Sequence, residues 1–408
     1  MKTLGKLFYL SWLPFLLLTA CGDREELEDL GHVVVMGVDQ AEDHQVSVTF
    51  QIANPEVGTT TKATAQQEPA SDIVTITAPD IISAKELAQS VVSRRLNFSH
   101  LNTMIISEKL ARTHEFHHVI ASTTGEREMR RELHLIISKE KASEFIHANK
   151  PKLETRPHKY YAFMQERWRD VGFVPDATIN RYFERTYGTL YLAVYATTQK
   201  NKKHFKDEDR YMAGQVPQQG GDPVQIMGSA VFKGGKMIGT LNGEETRLAL
   251  LLRPKILSRA FVTSFPDPKD KQFRVTVRLL PVKSSDVKID VKKDPVEVKV
   301  VVPLKVQIIQ ISSLTDYVLN LKYQKQLKKA IQKSLETETM QLVKKTQEQF
   351  ESEPFQWYLH ARKKFWTWQD YKDYQWAKKY SKAKVDVTYN LQIESFGKQF
   401  KPPQISQE

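Results

Sequence analysis

Cysteine is almost absent from this chain. Cys21 is the single one in 408 residues, which excludes an internal disulfide, a disulfide scaffold and a cysteine-based zinc finger. Long apolar runs are missing too. The longest, Leu7–Leu18 ("LFYLSWLPFLLL"), falls short of the ~20 residues that cross ~30 Å of hydrocarbon, and Pro14 breaks it as a continuous helix. There is no repeat at a solenoid period. There is no phosphate-binding loop either, because Gly234-Gly235 has neither the Lys-Ser/Thr pair nor the spacing. No Ser-His-Asp signature can be read from the linear order. Disorder is excluded by composition, with 40% hydrophobic and 26% charged residues.

What is present begins with the first twenty residues. Lys2 and Lys6 form a short basic segment with no acid near it, and the apolar run follows. Leu18-Thr19-Ala20-Cys21 then places two small residues directly before the lone thiol. Basic segment, apolar segment and small-residue cleavage site in this order are a secretory signal. With cysteine next, they resemble the lipobox of bacterial lipoproteins. The expectation is a signal peptide over 1–20, cleavage between Ala20 and Cys21, and diacylglycerol on the Cys21 thiol with a further N-acyl group. Two acyl chains give a stable anchor, since each buried CH₂ contributes about 0.8 kcal/mol. The formal charge of +12 fits an anionic membrane surface or nucleic acid, without choosing between them. A lipoprotein meets no cytoplasmic nucleic acid, so none is expected as a partner.

Length predicts two or three domains. "HVVVMGVD" reads as a buried strand, "QVSVTFQIA" as its antiparallel partner and "DIVTITA" as a third strand. Ser83 is the expected cap of a helix carrying Leu87, Val91 and Leu96 on one side. "NTMIIS" and "ELHLIIS" read as further buried strands, each followed by a helix. Residues 201–223, charged and then rich in Gly, Pro and Gln, read as a linker. Beyond it, Gly234-Gly235 turns a hairpin and Asn242 caps a helix with Glu244 and Glu245 in its first turn. Strand-like alternation covers 261–311, a long amphipathic helix Leu314–Phe350, and a last strand follows. The predicted fold is a multidomain α+β protein of mixed and antiparallel sheets packed with helices. Its expected domains are 21–200 and 224–400, the latter with 224–260 as a small subdomain in the alternative division.

Three constellations bear on function. His114-Glu115-Phe116-His117-His118 matches H-E-x-x-H, the spacing that puts two zinc ligands and a general base on one helix face. Its setting is a polar stretch between strands, and Ala121 and Thr124 stand where an extended zinc motif needs Gly and His. The bland reading, a surface helix, fits better. Residues 357–384 interleave aromatics with cations. Trp357, Ala361, Phe365 and Trp368 recur at helical spacing, which favours a helix on the sheet with cations facing solvent or lipid headgroups. Glu126–Glu132 reads as a solvated network of ion pairs.

Taken together, three stretches of this sequence resemble the Ger(x)C family, the C subunits of spore germinant receptors. The first is Cys21 followed by Asp23, Arg24, Glu25 and Leu27 and then "VVVMGVD", although Gly22 stands where the family has Trp. The second, "GSAVFKGGKMIGTLNGEET" (228–246), includes Gly228, Phe232, Gly239, Glu244 and Glu245. The third is the run with Trp357 and Trp368 before the final strand. The resemblance implies a lipid-anchored, non-enzymatic subunit without a cofactor at the inner membrane of the spore. It would work beside integral membrane subunits of the A and B types, and the named residues are its family-motif and partner-contact positions. Capture of a nutrient by this chain itself, and a surface zinc metallopeptidase using His114, Glu115 and His118, are the alternatives.

Overall fold

A computed structural model describes residues 29–54, 70–154, 156–185, 189–255 and 260–397. The expected signal segment 1–20, Cys21, Asp23, Arg24, Glu25 and Leu27 lie outside them. The chain forms two sheets, each packed with helices, in an α+β arrangement.

The first sheet has nine strands: β1 Leu30–Gln40, β2 Val46–Ala53, β3 Ser71–Ala78, β4 Arg95–Asn97, β5 Thr103–Ser107, β6 His134–Ser138, β7 Tyr191–Thr197, β8 Gln225–Lys233 and β9 Lys236–Leu241. Their order is β3-β2-β1-β5-β6-β7-β8-β9, with β4 beside the start of β1. The centre β1-β5-β6-β7 is parallel and both flanks are antiparallel. That explains the sequence texture. Parallel strands are covered on both faces and read as unbroken apolar runs, and β5 and β7 are buried at every position.

Side chains at the ends of strands fix the covering helices. Asp39 closes β1 and accepts from the backbone N–H groups of Ala142 (2.7 Å) and Ser143 (3.0 Å), so it caps the helix Ala142–Ala148 from across the sheet. Gly37 leaves room for that helix; a Cβ there would come 2.7 Å from Ile146 Cδ1.

The helix after β3 departs from expectation. Asp80, not Ser83, is its cap, accepting from the Ser83 N–H at 2.8 Å and the Ser83 hydroxyl at 3.0 Å. It ends at Ala88, so Leu87 and Val91 are exposed while Leu96 is buried in β4. Strand pairing of Leu96 with Gly31 outweighs continuation of the helix.

The second sheet comprises β10 Phe261–Pro266, β11 Arg274–Pro281, β12 Asp286–Asp290, β13 Glu297–Ile311 and β14 Lys384–Ser395. Along one edge, β13 carries β12 and then β11, both antiparallel. Along the other it carries β14, which is parallel. Alternation is strict on β13: Val298, Val300, Val302, Leu304, Val306 and Ile308 are all buried. The helix Leu321–Lys345 shares their core through Leu327, Ile331, Leu335, Leu342 and Val343. It is shorter than the expected Leu314–Phe350. Asn320 caps it by accepting from the Lys322 and Tyr323 N–H groups, and a π-helical turn, Thr346–Phe350, follows.

The 357–384 segment is not one helix. It is three short ones, Tyr358–Arg362, Trp368–Tyr374 and Trp376–Ser381. Thr367 and Asp370 close a capping box that starts the second, and Gln375 at φ 52° breaks it from the third.

Residues 201–223 do not separate the sheets. They connect β7 to its antiparallel neighbour β8, so the change from one sheet to the other falls after β9. Period-two alternation lets these strands serve both cores. Tyr191, Ala193, Ala230 and Phe232 face the first core, whereas Leu192, Val231 and Leu241 join the second.

Candidate functional site

The 228–246 block builds the seam between the two sheets. Gly234 (φ 57°) and Gly235 (φ 86°) make the tight β8–β9 turn, which disfavours side chains at both positions. Gly228 is also left-handed (φ 88°). A Cβ there would meet the Leu241 carbonyl oxygen at 2.5 Å and Met212 Sδ at 2.7 Å. Phe232 is buried in an aromatic group, its ring centroid 4.6 Å from Phe116 and 5.9 Å from Tyr191. Asn242 and Glu245 form a capping box: the Asn242 side chain accepts from the Glu245 N–H at 2.8 Å, and Glu245 accepts from the Asn242 N–H at 2.9 Å. The Glu245 oxygens also accept from Lys345 Nζ at 2.8 and 2.9 Å, which pins the last turn of the long helix.

A charged cluster continues this seam. Arg247 is buried, donating to Asp209 (3.2 Å) and to the carbonyls of Val171 (2.9 Å) and Val262 (3.0 Å), with its guanidinium over the Phe173 ring at 3.8 Å. Thr263 donates to the same Asp209 carboxylate. Arg210 pairs with Asp207 (2.9 Å) and Glu244 (3.3 Å). Burial pushes the Glu244 carboxyl up to about 7, against the pull of Arg210. Burial, then the charges of Glu244 and Asp209, push Glu338 up to about 8. Residues 207–210, the capped helix, the long helix and β10 are thereby joined at one place.

The H-E-x-x-H residues do not assemble as ligands. His114 is the residue before the helix Glu115–Ser122, and His114 and His118 are exposed. Glu115 accepts from Gln40 Nε2 and contacts His44 Nδ1, both at 3.1 Å. The neighbouring His117 is the one engaged inward, with the Tyr182 hydroxyl at 2.7 Å. Among the described residues, no group of three or more His, Cys, Asp or Glu is placed to hold a metal ion. Within Glu126–Glu132, Glu128 is more than a solvated charge. It accepts from the Phe98 N–H (2.7 Å) and Lys85 Nζ (3.0 Å). Burial works to raise its pKa, and these bonds outweigh it to hold the carboxyl below its ordinary value.

A cavity of about 740 Å³ opens at the β1–β5–β6 end of the first sheet, with Val34, Leu101 and Phe163 as apolar wall and Arg130, Arg156 and Lys159 as cations. His32 and His100 meet there edge to face, ring centroids 4.5 Å apart. Burial, then His100 and Arg94, lower the His32 pKa and favour its neutral form. Sequence reasoning missed this cavity and the Asp209–Arg247 pair. Both are assembled from distant positions, and no local spacing marks them.

Two family descriptions match the chain in tandem. "Spore germination protein N-terminal domain" covers residues 23–197, and "Spore germination B3/GerAC like, C-terminal" covers residues 227–397. The chain belongs to this family of spore germination proteins, the Ger(x)C family. Among curated proteins it is similar to spore germination protein KC of Bacillus subtilis (strain 168), at 29% identity over 136 residues, 33% of each chain. The alignment thus spans about a third of that relative's length. Among solved structures it is similar to the GerBC protein, with 17% identity, a TM-score of 0.49, and coverage of 90% of this chain and 99% of that one. The boundary between the two family units falls inside the first sheet, since β8 and β9 come from the C-terminal unit. Among the described residues, no helix is long and apolar enough to cross a membrane.

Proposed function

We propose that this chain is the C subunit of a spore nutrient germinant receptor, anchored by diacylglycerol on Cys21 to the outer face of the spore's inner membrane. The observation that carries this reading is the tandem match to both units of one spore germination family. The subunit acts by assembly rather than catalysis, holding integral membrane subunits of the A and B types in a functional receptor. The lipobox at Leu18–Cys21 supports the anchoring. The cations and exposed rings of 357–384, Trp366 above all at 97% exposure, suit a site beside anionic headgroups. Cys21→Ala tests the reading: lipid labelling is lost, and nutrient germination falls while germination that bypasses the receptors persists. Normal nutrient germination from a released, unlipidated protein overturns the anchoring claim. Co-purification of Cys21-anchored protein from spore membranes without A- or B-type subunits overturns the assembly claim.

A second reading, capture of a nutrient by this subunit, is favoured by the cavity beside His32, because cations on an apolar wall suit a small organic anion. Calorimetry with candidate nutrients separates the two readings, since a pure assembly subunit gives no binding heat.

A further inference from the structure

The turn between the two sheets hides a set of charges that the receptor-subunit reading does not use. Arg253, just past the helix Gly243–Leu251, is 1% exposed. Its Nε donates to the Pro354 carbonyl at 3.2 Å, but neither Nη has an acceptor. Arg185, the last residue of the helix Ile179–Arg185, is 5% exposed, and its Nη1 also lacks an acceptor. Guanidiniums normally reach the interior only when carboxylates or other acceptors satisfy them, and an unsatisfied buried polar group is destabilising, more so when charged. Here the charge acting most strongly on Arg253 is the like charge of Arg185. Glu353, fully buried nearby, has its carboxyl pushed up to about 7 by burial, so it is a weak counter-ion near neutrality.

Of these three residues, Arg185 lines a polar cavity of about 450 Å³. Arg185 and Arg181 line one side, and Lys255 and Gln356 bring in the C-terminal half. The carboxylates in its wall are partly committed. Asp176 pairs with Arg181 at 2.8 Å, and Glu184 accepts from Asn180 Nδ2 at 2.9 Å. Glu132 lines the rim and is exposed. Among the described residues, neither Arg185 nor Lys255 forms an ion pair with a carboxylate, and Glu184 favours the charged Arg185 only through its nearby charge. They come from opposite sides of the seam, one from the helix before β7 and one from the segment that leads into β10.

We propose that this cavity binds a small oxyanion, a carboxylate or phosphate group, held between Arg185 and Lys255. Planar guanidinium N–H groups match carboxylate and phosphate oxygens in geometry, and the ammonium adds a second charge from the other half. The bound group completes the seam electrostatically and makes attachment of the two halves dependent on the ligand.

Thermal unfolding of the purified chain in phosphate, in succinate and in chloride at matched ionic strength tests this. The expected result is a saturable rise in Tm with phosphate or succinate and none with chloride; whichever arm responds names the source. Lys255→Gln, at an exposed position, weakens the apparent affinity at least threefold. Arg185→Gln abolishes the response. If Arg185→Gln does not fold, Lys255→Gln alone decides. No oxyanion response beyond that of chloride, as when water alone satisfies Arg185, overturns the proposal. So does a saturable response that Lys255→Gln leaves undiminished.

Discussion

Gly239 sits directly against Phe350: a Cβ on Gly239 would lie 2.7 Å from Cε1 of the Phe350 ring. Glycine in β9 is therefore what lets the π-helical turn at the end of the long helix settle on the first sheet. Gly239→Ala forces the ring or the strand to shift and is expected to cost about 1–3 kcal/mol, the usual range for overpacking. Gly239→Val costs more. Urea unfolding of the two variants against the parent gives the order, and a neutral Gly239→Val would show that the contact relaxes freely.

The buried Asp209–Arg247 pair makes a second prediction. Removing one partner leaves the other charge buried and uncompensated, so Asp209→Ala is expected to cost on the order of 3–5 kcal/mol. Arg247 would then retain only its Phe173 stacking and its backbone acceptors. Changing both residues, to Asp209→Ala with Arg247→Met, is expected to be less damaging than Asp209→Ala alone. A double-mutant cycle by denaturant unfolding measures the coupling.

The pH dependence of stability follows from Glu244 and Glu338. Both have folded-state pKa values raised above the ordinary 4.5, to about 7 and about 8. The folded state thus holds protons that the unfolded chain releases. Where the native state binds more protons, stability falls as pH rises. The window runs from about 4.5, where the unfolded carboxyls ionise, to about 8, above which the loss is complete. Glu353 acts in the same direction. Tm measured from pH 5 to 8.5 is expected to decline, and Glu338→Gln is expected to flatten the decline. An unchanged slope in that variant would remove Glu338 from the account.

Two tryptophans of the 357–384 segment are expected to behave oppositely. Trp357 is fully buried, and its Nε1 donates to the Leu252 carbonyl at 3.0 Å. Trp357→Ala is expected to cost about 3–5 kcal/mol. Trp366→Ser, at 97% exposure, is expected to leave the midpoint of unfolding within error of the parent. A large destabilisation in Trp366→Ser would mean that the ring is covered in solution.

Elements with strong periodicity were legible in the sequence. The alternation of β13, the unbroken apolar run of β1, the Gly234-Gly235 hairpin and the Asn242 cap all express forces within a few residues of one another. Less legible were choices settled by distant partners. The helix after Asp80 stops because Leu96 pairs beside Gly31, and nothing near Leu87 or Val91 announces that. The polar composition of 201–223 is that of a linker, yet its ends belong to neighbouring strands of one sheet. The family-block residues were found by resemblance, and their physical reason became visible only in the fold: Gly228 and Gly239 are dictated by close approach, and Glu245 by a cap and a lysine. The buried Arg185 carried no signal, because an arginine in a polar stretch looks the same whether solvent or protein surrounds it, and Arg253, directly after the apolar run Leu248–Leu252, was passed over.

The sharing of the first sheet between both family units also sets an order in time. β7 is buried on every residue, but one of its edges is covered only by β8, at Gln225–Lys233. During synthesis that apolar edge stays open until the next unit has begun to emerge, and an open strand edge invites pairing with the wrong chain. A fragment ending near residue 200 would keep the edge open permanently. The two units are separable in sequence, but the first sheet is completed only by strands of the second.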